Sequence, residues 1–142
     1  MISKARHRAE AFIFAVSAIL IVSIIAFLSV DNSINRTNIE YISSFGWQVE
    51  EKPVEIFYMT IPEKTDTVFS VYKSIVGFEL DLHNTQRVTR YSYKVLNHKN
   101  SQDGLIRINL FLANDKILWG DISSLSPNGF VLPINDTTDM LK

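Results

Sequence analysis

The chain has no cysteine among its 142 residues. That excludes disulfides, thiolate zinc sites, a cysteine nucleophile and a lipidated amino-terminal cysteine, so any anchor has to be made of polypeptide. Histidine is scarce too: of three, His7 lies before the long apolar run, which leaves His83 and His98 for imidazole chemistry beyond it. No Gly-x-Ser-x-Gly turn is present to lift a serine nucleophile. Positive charge is not in excess. The net charge is −1, and because Lys4, Arg6 and Arg8 against Glu10 make the first ten residues +2, residues 31–142 carry −3. Such mild acidity argues against nucleic acid, whose phosphates demand a basic footprint. There is no internal repeat and no low-complexity run.

What the chain does have is Ala11 to Val30, AFIFAVSAILIVSIIAFLSV, twenty residues without a charge, a proline or a glycine. A helix of that length, rising ~1.5 Å per residue, crosses the ~30 Å hydrocarbon core of a bilayer. The positive residues before it and their absence directly after it predict a cytoplasmic tip, residues 1–10, and an extracytoplasmic remainder. A cleavable signal peptide wants an apolar region of roughly 7–15 residues followed by small residues. Here the run is longer and Ala26-Phe27-Leu28 ends on a large residue, so an uncleaved anchor is expected. The lipid bilayer is then the partner of residues 11–30. A tip this short leaves no room for a catalytic or DNA-binding domain, so signalling would need a companion membrane protein.

Beyond the span, residues 31–38 (DNSINRTN) read as a polar tether or a further turn or two of helix. Thr37 or Asn38 is a candidate cap for a short helix through Ile39, Tyr41, Ile42 and Phe45 that stops at Gly46. Trp47 to Ile61 switches to strand character, with apolar residues on both faces from Val54 onward, and so predicts a central strand covered on both sides. From Asp66 to Gly77 the spacing of Val68, Val71, Tyr72, Ile75 and Val76 predicts an amphipathic helix. Three strands follow, Val88–Leu96, Leu105–Leu112 and Ile117–Ile122, joined by the polar loop 97–104 and a tight Asn114-Asp115 turn. After Ser126-Pro127-Asn128-Gly129, residues 130–134 suit a short edge strand, and 135–142 are expected to form a disordered tail. The fold class is α+β. A transmembrane helix precedes a two-layer domain, residues 39–134, with an antiparallel sheet of four or five strands and two helices on one face, in the order α-β-α-β-β-β.

Several motifs fall at the joints of these elements: Phe45-Gly46-Trp47-Gln48-Val49, Ile61-Pro62, Gly77-Phe78-Glu79-Leu80, Arg90-Tyr91-Ser92-Tyr93, Asn97, Gly120-Asp121 and Gly129-Phe130. Together they resemble a family of small bacterial proteins, found mainly in clostridial-type Gram-positive bacteria behind a membrane anchor and classed as a domain of unknown function. The resemblance spans about residues 38 to 134. It implies the limits of the domain and its place outside the membrane, and it implies no activity.

Candidate chemistry is thin. Glu79, Asp81 and His83 share a face if that segment is extended, but no spacing supplies a fixed third ligand, so neither a metal nor a cofactor is expected. Arg87, Arg90 and Lys94 lie near Tyr91 and Tyr93, a mixture that suits single strands of nucleic acid. Strand alternation turns the tyrosines away from Arg90 and Lys94 and favours buried tyrosines with solvated basic residues on the other face, not a nucleic-acid site. The best ligand-binding candidate is Trp119-Gly120-Asp121, where a glycine inside a strand marks a bulge or a close backbone approach and sets a carboxylate beside an indole. The expected function is an anchored binding or interaction module and not an enzyme, the alternatives being a small envelope enzyme using acidic residues or a structural accessory subunit.

Overall fold

Alternation along the strands, read through their register, decides the layers. In the computed structural model, which describes residues 32–61, 67–77 and 87–141, residues 32–44 form a helix, α1. It is followed by β1 (Glu55–Thr60), α2 (Thr67–Val76), β2 (Arg87–Lys94), a turn of 3-10 helix at Ser101–Asp103, β3 (Ile106–Ala113), β4 (Lys116–Ser124) and β5 (Val131–Pro133). The strands make one antiparallel sheet in the order β1-β2-β3-β4-β5, a meander in which every neighbour in space is the neighbour in sequence. The domain is therefore α+β with a five-stranded antiparallel sheet and two helices. The apolar run 11–30 and the Glu79, Asp81 and His83 group lie outside the described residues. Among the described residues no helix is long and apolar enough to cross a membrane.

Pairing of Tyr91 with Leu110, Tyr93 with Ile108, and Ile108 with Ile122 puts these side chains on one face of the sheet. All of them are buried, and Tyr93, Ile108 and Leu110 are completely so. Helix α1 rests here: the Asn38 side-chain amide donates to the Tyr93 hydroxyl at 3.0 Å, and that hydroxyl donates to Asn35 at 2.9 Å. Asn35, Asn38 and Ile42 form one helical stripe by their i, i+3, i+7 spacing, and Asn38 and Ile42 are fully buried. Since residues 32–36 are already helical, neither Thr37 nor Asn38 starts the helix.

The opposite face carries Val88, Phe111, Ala113 and Trp119, buried in one cluster with Ile61 and Val76. Helix α2 packs on it through Phe69, Tyr72 and Val76. The two helices thus lie on opposite faces, and the expected two-layer arrangement with both on one face is corrected to three layers. The physical reason is that both faces of the central strands bear large apolar side chains, and each needs its own cover. The stripe of α2 shifts as well: Val68, Val71 and Ile75, expected in the core, are 80%, 54% and 45% exposed.

Strand β1 departs furthest from expectation. It stands at the edge of the sheet, not the centre, and Ile56, Phe57 and Tyr58 are 40%, 48% and 78% exposed. Alternating apolar residues on both faces indicated cover on both sides, and among the described residues that cover reaches only Met59 and Ile61.

The turns follow their chemistry. Asn114 and Asp115 both adopt positive φ, 48° and 62°, closing β3 onto β4 through a two-residue loop of the type that matches strand twist. Residues 135–141 do not fray. Met140 bridges to His98, the Leu141 amide donates to the Asn97 carbonyl at 2.7 Å, and Lys99 pairs with Asp139 at 2.5 Å. Asn97 also accepts from the Gln48 amide and donates to the Gly46 carbonyl, tying the exit of α1 to the loop after β2. Trp47, 1% exposed, donates its indole N–H to the Ile134 carbonyl at 2.8 Å.

Gly129 sits where the chain doubles back into β5, and a β-carbon there would collide with the Ser124 and Ser126 carbonyl oxygens, which are backbone and cannot swing aside. Gly129→Ala is expected to destabilise the domain by about 1–3 kcal/mol, the usual cost of overpacking. Denaturant unfolding, followed by tryptophan fluorescence, measures this; an unchanged midpoint would show that the turn relaxes freely.

Candidate functional site

Trp119, Gly120 and Asp121 are consecutive in β4, so their side-chain directions alternate and the trio divides between the two faces of the sheet. Trp119 and Asp121 point under α2. Gly120 faces the α1 side, where a β-carbon would meet the Leu110 side chain at 2.8 Å and the Ile134 side chain at 3.2 Å. The glycine is thus required by close approach, while the register irregularity lies two residues earlier on the same strand, at Leu118, which is skipped between the Phe111–Trp119 and Leu112–Ile117 pairs.

Trp119 stacks on Phe111, its cross-strand partner, with ring centroids 4.5 Å apart and planes within 10°. Its indole N–H donates to the Tyr72 hydroxyl at 3.0 Å, and that hydroxyl donates in turn to one Asp121 oxygen at 2.5 Å. The other Asp121 oxygen accepts from the Asn109 amide at 2.7 Å. Asn109 also donates to Ser123 and accepts from Ser92. Because Ser92 pairs with Asn109 and Asn109 with Asp121, the polar side chains form a row straight across three strands, capped by a tyrosine from the helix above.

Burial pushes the Asp121 carboxyl above its ordinary range; the Tyr72 and Asn109 hydrogen bonds and the Arg90 charge pull it partly back. Burial and the adjacent Asp121 charge hold the Tyr72 hydroxyl above its ordinary value. With 2% exposure and both oxygens engaged, Asp121 serves to fasten α2 to the sheet and offers no open face to a substrate.

Trp119 and Gly120 also border a cavity of about 230 Å³ at the side of β4, lined further by Tyr41, Phe45, Leu118 and Pro133. Asp121 is not part of its wall. A second, larger cavity of about 490 Å³ opens at the sheet end between Tyr58, Arg87, Leu112 and Asn114.

The basic and aromatic residues of β2 separate as alternation predicts. Tyr91 and Tyr93 are buried on the α1 side, and Arg90 lies on the other face, 2.6 Å from Glu55 and over the Phe57 ring at 5.3 Å. His98 is buried between Trp47 and Phe130, ring centroids 6.1 and 5.7 Å away, and its Nδ1 accepts from the Asn100 amide at 3.0 Å. Burial lowers its pKa. Among the described residues no group of three or more acidic or histidine side chains is placed to hold a metal ion.

The residues that sequence reading missed are Tyr72, Asn109 and Ser92. Alternation signals that Asn109 faces away from Ile108 and Leu110, but the register of the Asn114-Asp115 turn carried straight through pairs it with Gly120, and only the one-residue shift between Phe111 and Leu112 brings Asp121 opposite it. Tyr72 carried no such signal, since its spacing reads as core. No family model, no curated protein and no solved structure matches the chain.

Two pH effects follow. A carboxyl whose folded pKa is raised contributes stability that is present below its unfolded value, about 4, and is lost as pH rises through the folded value. The stability of the natural chain minus that of Asp121→Asn is therefore expected to fall as pH rises above about 4. Tyr72→Phe removes a bond that favours the carboxylate and should move this fall to higher pH; a pH-independent difference in urea titrations would disprove the assignment. For His98 the sign reverses. Its lowered pKa gives stability that is present above about pH 6.5 and lost as pH drops through the folded value. The advantage of the natural chain over His98→Gln should accordingly shrink on acidification from pH 7 to 5, which thermal melts across that range can check.

Proposed function

We propose that this chain is a single-pass, membrane-anchored module whose extracytoplasmic domain, a member of the clostridial-type family it resembles, works by interaction and not by catalysis. The anchor is residues 11–30, oriented by Lys4, Arg6 and Arg8. The observation that carries the interaction reading is β1: an edge strand whose Ile56, Phe57 and Tyr58 remain 40–78% exposed on both faces, although the domain buries its other long aromatic and β-branched strand residues well. Edge strands are ordinarily guarded by charge, proline or cover, and an unguarded apolar one suits a partner.

The envelope-enzyme alternative draws on Asp121 or on the Glu79, Asp81 and His83 group, and burial of the Asp121 carboxylate between Tyr72 and Asn109 weighs against the first of these. The bilayer and a membrane-protein companion are the partners this reading implies, and no role for nucleic acid follows from the distribution of charge.

Protease treatment of intact cells expressing the full chain with a tag at each end tests the placement. The carboxy-terminal tag is expected to be removed, while the amino-terminal tag stays protected in the membrane fraction. Protection of the carboxy-terminal tag would overturn it.

A further inference from the structure

We infer that β1 is a homodimerisation strand, which pairs antiparallel with β1 of a second copy to join two five-stranded sheets into one of ten. The inference rests on the interaction reading above and names the partner. Among the described residues no strand occupies the outer side of β1, although its six pairs with β2 are regular and free of bulges. Such an edge offers alternate backbone N–H and C=O groups to an incoming strand.

Self-complementarity selects a second copy over an unrelated strand. A two-fold axis perpendicular to the sheet keeps each residue on its own face, so residues of like parity meet. With the axis on Phe57, that ring stands opposite its own copy, Ile56 opposite Tyr58 and Glu55 opposite Met59. An aromatic–aromatic pair is thus flanked by β-branched–aromatic ones, pairs that stabilise antiparallel strands.

Charge fits the same arrangement. Glu55 is the only charged residue of β1, it is already neutralised within its own chain by Arg90 at 2.6 Å, and the two-fold keeps the two Glu55 side chains apart. Arg90 lies over Phe57 at 5.3 Å, so the central aromatic pair would be flanked by a guanidinium from each copy. The association closes on itself. At the other edge β5 is three residues long and ends in Pro133, which cannot donate to a further strand, so growth stops at two copies.

The chain's lack of cysteine makes the test direct, because a single introduced cysteine can form a disulfide only with another molecule. Cysteine is placed singly at Val54, Ile56, Phe57, Tyr58 and Thr60, and at Val68 on α2, in the full chain in membranes under mild oxidation. Directly opposed residues in antiparallel strands bring their β-carbons to roughly 4.5–5.5 Å, within disulfide reach. The covalent dimer is expected to peak at Phe57 and to be about tenfold lower at Val54, Thr60 and Val68, a loss of about one decade in local pairing.

Tyr58→Lys, at a position exposed enough to leave the melting temperature unchanged, should lower dimer yield from a Phe57→Cys background by a similar factor. Equal yields along β1, a β1 cysteine captured only by a different protein, or a monomer by light scattering in detergent would each overturn the inference. Because the protease experiment reads location and this one reads pairing, a monomer with an accessible domain refutes the dimer alone, and a dimer with a protected domain refutes the placement alone.

Discussion

Two faces of one sheet must be covered, and among the described residues two helices, α1 and α2, do it. The central strands β2, β3 and β4 present large apolar side chains both toward α1 and toward α2. A helix of ten residues such as α2 is about 15 Å long, whereas five strands spaced ~4.8 Å apart make a sheet roughly 20 Å across. On the α2 face cover therefore runs out before the sheet does. It runs out over β1, which explains why a strand with core-like composition remains at the surface and why the domain has an apolar edge at all.

A polar row fixes the helix to the sheet on the α2 side. Apolar contact is non-directional and does not by itself fix where α2 sits. Tyr72 instead reaches a buried carboxylate whose other oxygen is held by Asn109, and each of these groups has direction as well as energy. The desolvation that raises the Asp121 pKa is the cost of this fastening, and removing one partner would leave the remaining groups buried and unpaired. On the α1 side the same principle operates with neutral groups, the Tyr93 hydroxyl lying between Asn35 and Asn38.

The candidate site shows where reading residues in order stops being informative. Gly120 was legible as a position of close approach, because a glycine inside a strand has few other reasons to be there. Asp121 next to Trp119 looked like a binding pair. Adjacent strand residues point to opposite faces while alternate ones share a face, so Trp119 and Asp121 do lie together, but what lies over them is a helix 49 residues away in sequence from Asp121 to Tyr72. Long-range cover of this kind leaves no local trace, and it turned a prospective ligand site into a packing device. Similarly, Asn97 and Trp47 stood out as motif residues, and their work is to hold the ends of elements together through backbone partners.

The sequence by itself determined the class of each element, because periods of 2 and 3.6, turn residues such as Asn114-Asp115 and stops such as Gly46 and Gly77 act within a few residues. Hydropathy over twenty residues, which needs no tertiary context, likewise marks residues 11–30 as the expected anchor. Only the tertiary structure decided which face each helix covers, that β1 lies at the edge, that Val68, Val71 and Ile75 look outward, and that residues 135–141 return to the loop after β2. These depend on which distant surfaces compete for the same apolar side chain. An apolar pattern states that a face can be buried, and the fold decides whether anything is left to bury it.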